Sequence, residues 1–183
     1  MADRYLRFVF LTGFAQVSVF SDLNQLQDIS MVPAYATLCG ITREKLVHTF
    51  VPEIKRLVQN ECLSYEEILL RLEKLYDGYH FCEKITAGLF DPFSLLNVFS
   101  SCRFAYYWFQ TGTPTYLVDL LKQSDYDLRL LTDGVEVTAS AFSEYRADAC
   151  NPPPMLYQSG YLTIKGYDKE VYLYNLQFPN DEV

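Results

Sequence analysis

Half of the 183 residues are apolar and 16% are aromatic, including 15 tyrosines and 13 phenylalanines, so a real core is available and general disorder is excluded. A net charge of −8 argues against a phosphate-binding surface spread over the whole chain, though not against a local basic patch. Five scattered cysteines fit reduced thiols better than a disulfide framework, no apolar run approaches the roughly 18–20 residues of a bilayer span, and no signal peptide is visible, so the expected setting is cytoplasmic with no membrane partner.

The first part, residues 1–30, opens on Tyr5-Leu-Arg-Phe-Val-Phe-Leu-Thr-Gly13. This near-continuous apolar run, broken only by Arg7, suits a strand covered on both faces, as in a parallel sheet. Parallel neighbours need crossovers of a dozen or more residues. Only Met1 to Arg4 precede the run, so the pattern predicts a fragment whose sheet partners lie upstream. Ser21-Asp-Leu-Asn24 then looks like a turn or helix cap.

The second part, residues 31–110, has helical spacing. Thr42 caps a stripe of Leu46, Val47, Phe50, Ile54, Leu57 and Val58, and Pro52 predicts a break or a new first turn inside it. Ser64 and Glu67 form a capping box ahead of Ile68, Leu69, Leu72 and Leu75, and Gly78 offers a left-handed helix end. Asp91 and Pro92 open another helix as cap and first residue.

The third part, residues 111–183, has helical patterns at 114–122 and 139–145, then a run of three prolines from Pro152 to Pro154. Two β runs follow, 161–165 and 171–176, with 166–170 as the hairpin loop. Helices followed by a hairpin describe a winged-helix arrangement. Pro179-Asn-Asp181 has the composition of a linker edge. The fold class is therefore mostly α with small β.

Catalytic signatures are missing. No Gly-x-x-x-x-Gly-Lys-Ser/Thr loop occurs, and no apolar strand ends in the adjacent acids that would hold magnesium. His48 and His80 are the two histidines, and His80-Phe-Cys82 supplies two of the four ligands a closed zinc site takes. Cys39, Cys62 and Cys102 have no zinc-like spacing, and nothing orders a base beside a thiol, so no metal site is expected. Asp77 in Tyr76-Asp-Gly-Tyr79 is expected to accept turn amides rather than act as a base.

Seven ordered segments carry a resemblance: Phe8-Val-Phe-Leu-Thr-Gly13; Ser18-Val-Phe-Ser-Asp-Leu-Asn24 with Asp28; Cys39-Gly-Ile-Thr42; Tyr76-Asp-Gly-Tyr79; Pro92-Phe-Ser94; Tyr107-Trp-Phe109 with Thr111-Gly-Thr-Pro114; and Tyr157-Gln-Ser-Gly-Tyr-Leu162. Together they resemble the C-terminal part of the bacterial AAA-ATPase-like family, relatives of the archaeal and signal-transduction P-loop ATPases. The resemblance covers nearly the whole chain. It implies that residues 1–30 are the terminal strand and sensor segment of an AAA-ATPase-like core, 31–110 a helical lid region, and 111–183 a winged-helix-like domain with a β-hairpin. Walker A and Walker B would lie upstream, and a restriction-endonuclease-like nuclease domain commonly follows in such proteins.

The same resemblance gives residues roles. Thr12 stands where the sensor strand ends and is either a γ-phosphate or water-positioning contact or a hydroxyl capping the turn. Gly112, Thr113 and Pro114 match a Gly-x-Pro motif that packs near adenine, and otherwise make an ordinary helix start. Arg146 is a cationic sensor or a solvated helix-end charge. Trp108, Tyr106 and Tyr107 read as packing rather than as a base-stacking platform. The implied function is the sensor, lid and winged-helix portion of an ATPase that uses ATP and magnesium in the intact protein. It would have no ATPase activity alone and no cofactor of its own. Its partners would be the upstream P-loop region, a downstream nuclease-like domain and other proteins. The alternative is a winged-helix module presenting residues 154–159 to protein or DNA. That segment has no Lys or Arg, which weighs against nucleic acid, and Lys165 and Lys169 are all a wing would offer a phosphate.

Overall fold

A computed structural model describes residues 27–84, 87–111, 115–143 and 150–183. The expected strand from Tyr5 to Leu11, Thr12, Gly112, Thr113, Pro114 and Arg146 lie outside the described residues. What is described is a mixed α/β fold, helices with two small antiparallel sheets. No described helix is long and apolar enough to cross a membrane.

The helical part begins with a two-residue strand β1 (Ile41–Thr42) and helix α1 (Arg43–Thr49). Thr42 caps α1 by accepting the Lys45 amide at 3.2 Å. Pro52 starts a second helix rather than bending the first: α2 (Val51–Glu61) follows α1 across Phe50, with the proline in its first turn, where no donor is needed. The capping box forms at α3 (Tyr65–Tyr76), Ser64 accepting from the Glu67 amide and Glu67 accepting from the Ser64 amide. Gly78 has the positive φ expected, at 107°, but α3 ends one residue earlier, on an extended Asp77. Strand β2 (Leu89–Phe90) pairs with β1 and leads through the Asp91 cap into α4 (Pro92–Ser101).

Leu46, Ile54, Leu57, Ile68, Leu72, Leu95 and Val98 are sealed from solvent in one cluster. Burying each is worth roughly 1.5–3 kcal/mol, more than a cap contributes, so this stripe is what holds the helices together. Helices α2 and α4 end on cysteines rather than glycines: Cys62 and Cys102 have φ of 54° and 50°. The Asn60 amide donates to the Cys102 carbonyl at 2.7 Å and ties the two ends.

After a 3-10 turn (Trp108–Thr111) come α5 (Thr115–Gln123), α6 (Leu130–Asp133), β3 (Val135–Val137), α7 (Ser140–Ser143), α8 (Pro153–Gln158), β4 (Thr163–Asp168) and β5 (Leu173–Gln177). The three strands lie in the order β3-β5-β4, all antiparallel. Leu117, Leu131, Val137, Met155, Leu156, Ile164 and Leu176 form a second core.

Two expectations need correction, and one strand was not foreseen. The hairpin turns at 169–172, not 166–170, because a bulge between Ile164 and Gly166 carries β4 onward and Asp168 folds the turn by accepting the Glu170 amide at 2.7 Å. Strand β3 was hidden, being three residues long. Residues 154–159 are not presented to solvent, since Met155 and Leu156 complete the second core and Ser159 is buried.

Candidate functional site

The two cores meet where several backbone-directed contacts concentrate. Gly78 is required there: besides its positive φ, an added Cβ would overlap the Pro179 carbonyl. The next residues reach across. The Tyr79 hydroxyl donates to the Gly160 carbonyl at 3.2 Å, and the His80 amide donates to the Thr163 hydroxyl at 2.7 Å. That hydroxyl donates back to the His80 carbonyl at 2.9 Å.

Lys165 is engaged within the fold rather than left free. Its ammonium is half-buried and donates to the carbonyls of Gly78 and Pro179 at 2.9 and 2.8 Å. Burial lowers its pKa, partly opposed by the charge of Asp77. Asp77 accepts the Gly78 amide at 2.7 Å, the turn role expected of it, and burial raises its pKa. Burial and then the Lys165 charge lower the pKa of His80.

Residues 179–183 form a strap rather than a linker edge. The Asn180 side chain donates to the Asp77 carbonyl at 2.9 Å and accepts the Glu182 amide at 3.0 Å. Glu182, 3% exposed, sends its carboxylate inward, where Oε1 accepts the backbone amides of Tyr107 at 2.6 Å and Trp108 at 3.1 Å. Burial raises its pKa, while the hydrogen bonds from the Tyr107 and Trp108 amides pull it back. The strap thereby joins the end of β5 to the start of the Trp108–Thr111 turn.

Around Trp108 and Gly160 lies a cleft of about 190 Å³. Its described walls include Gly40, Tyr79, Pro92, Trp108, Gln158 and Gly160, drawn from five of the seven segments that carry the family resemblance. Tyr79 sits 5.9 Å from Trp108 between ring centroids, and Tyr161 meets Trp108 edge-on at 6.1 Å. Gly160, at φ 78°, lets the Trp108 ring lie directly on the backbone, where a Cβ would come within 2.7 Å of it. Both polar atoms of the Gln158 amide are buried without a hydrogen-bond partner. Each unmet atom costs on the order of 1–3 kcal/mol, a cost a ligand can relieve. A larger hollow of about 600 Å³ at the hairpin is open to solvent and lined by Glu136, Asp168 and Glu170 with Lys169, a net acidic set.

Among the described residues, no three His, Cys, Asp or Glu side chains gather as a metal set. Gln158 and Glu182 escaped sequence reasoning. Gln158 follows a proline-led apolar turn that looked like a surface helix, and Glu182 follows residues of linker composition.

Over its whole length the chain is 35% identical to part of an "Uncharacterized protein in vnfD 5'region" from Azotobacter chroococcum mcd 1, and it spans 34% of that relative's length. No family model matches the chain, and no solved structure matches it.

Proposed function

We propose that this chain is the sensor, lid and winged-helix portion of an AAA-like ATPase, relaying ATP binding and hydrolysis in the intact protein as a change of conformation. ATP and magnesium would be held chiefly by an upstream P-loop region, and a downstream nuclease-like domain would receive the movement. The winged-helix assignment is supported by the order α5-α6-β3-α7-α8-β4-β5 together with the strand order β3-β5-β4.

The observation that carries the reading is the Glu182 clamp. Gly112, Thr113 and Pro114, the expected nucleotide contacts, directly follow the turn Trp108–Thr111, and the amide at the head of that turn is held by Glu182. A nucleotide-dependent shift at 112–114 is therefore one short turn from the strap that ends the chain. Lys165, Asn180 and Thr163 tie the same strap and sheet to the helical part, so the two cores respond together. In the intact protein, Thr12→Ala should lower ATP turnover without loss of folding; unchanged turnover would remove Thr12 from the sensor role.

A second reading, a winged-helix module for protein docking, is favoured by Val171 and Tyr172, 58% and 70% exposed at the hairpin tip. DNA is the weaker partner, because α8 faces inward and Lys165 is engaged. Salt-sensitive gel-shift binding of DNA by this chain at micromolar protein would reverse that order.

A further inference from the structure

We propose that the cleft between Trp108 and Gln158 binds a purine base, with the Gln158 amide reading the ring edge. The inference deepens the nucleotide-switch reading and rests on it for the choice of purine over other flat heterocycles.

Four features select this class of ligand. Tyr79, Trp108 and Tyr157 line the cleft with aromatic side chains, which favour a flat π-system. Gln158 holds one donor and one acceptor in a single plane, both buried and unpaired. That pair matches the adjacent acceptor and exocyclic amine on one edge of adenine, the pairing that asparagine and glutamine make with adenine in DNA grooves. The volume of about 190 Å³ is below the roughly 300 Å³ at which pockets for larger ligands begin, so a ring system fits and a whole nucleotide does not. The charged side chain lining the cleft is Asp91, with no lysine or arginine among its described walls, so phosphates are directed away from it.

Trp108 is the single tryptophan, so its fluorescence reports the cleft directly. Titrating this chain with adenosine should give a saturable change in Trp108 emission at millimolar ligand or below. Purine riboside, which has the ring but no exocyclic amine, should bind about tenfold more weakly, as expected for one lost buried hydrogen bond. Gln158→Leu should weaken adenosine by about tenfold or more. Circular dichroism establishes that this variant is folded, and the purine riboside comparison needs no variant at all. No saturable change, equal affinity for adenosine and purine riboside, uridine binding as tightly as adenosine, or an unaltered Gln158→Leu would each overturn the assignment. ATP turnover by the intact protein separates the two proposals. If turnover is present but this chain does not bind adenosine, the cleft assignment falls and the switch stands. If both are absent, both fall.

Discussion

Truncating Glu182 to alanine should cost more than any surface substitution in the chain. Glu182→Ala strands two backbone donors, Tyr107 N–H and Trp108 N–H, that now bond the same oxygen at 2.6 and 3.1 Å inside the fold. An unmet buried donor costs about 1–3 kcal/mol. Two of them, one only partly buried, give a loss of about 3 kcal/mol, which for a chain of this length corresponds to a melting point lower by about 6–12 °C. Glu182→Gln keeps an acceptor for both amides and removes the buried charge, so it should be at least as stable as the parent at neutral pH. The two variants must therefore separate. Burial raises the Glu182 pKa above its ordinary 4.5, so between that value and the raised one the folded chain binds more protons than the unfolded. Its contribution to stability is full below pH 4.5 and is lost as pH rises through the folded value; Glu182→Gln should abolish that component. Urea unfolding followed by Trp108 fluorescence measures all three proteins. Glu182→Ala within about 0.5 kcal/mol of the parent, the range of ordinary surface substitutions, would refute the clamp.

Gly78→Ala should destabilise by about 2 kcal/mol or more, because the left-handed backbone and the Pro179 carbonyl both oppose a side chain; the urea midpoint reads it. Ser64→Ala should cost about 1 kcal/mol through loss of the capping box at α3, seen as a lower midpoint with unchanged denaturant dependence. His80 contributes in the opposite sense to Glu182. Its folded pKa lies below the ordinary 6.5, so between the two values the unfolded chain binds more protons and stability rises with pH, levelling above 6.5. His80→Gln should flatten that rise in unfolding curves taken across the window.

Local chemistry was legible wherever one short stretch carried both the signal and its answer. Ser64 and Glu67 satisfy each other's backbone within a single turn, Asp91 with Pro92 needs nothing beyond its own helix, and Pro52 is tolerated without loss in the first turn of α2. The hairpin was legible as two β runs and misjudged in its turn, because the bulge after Ile164 is set by pairing across to β5. Strands of two or three residues, such as β1 and β3, carry too short a pattern to be seen without the partner that gives them hydrogen bonds.

Residue order along the chain was enough to settle the caps, the apolar stripes and the mixed, mainly helical character, since these depend on neighbours three or four positions apart. Which polar groups end up buried together was another matter. Glu182 meets Trp108 across 74 positions, Lys165 meets Gly78 across 87, and Asn180 meets Asp77 across 103. Nothing in the composition around these residues separates them from surface ones. Their burial, and with it the cleft and the clamp, follows from packing two cores against each other, which takes a carboxylate, an ammonium and an amide out of water and assigns each the partner it has or lacks.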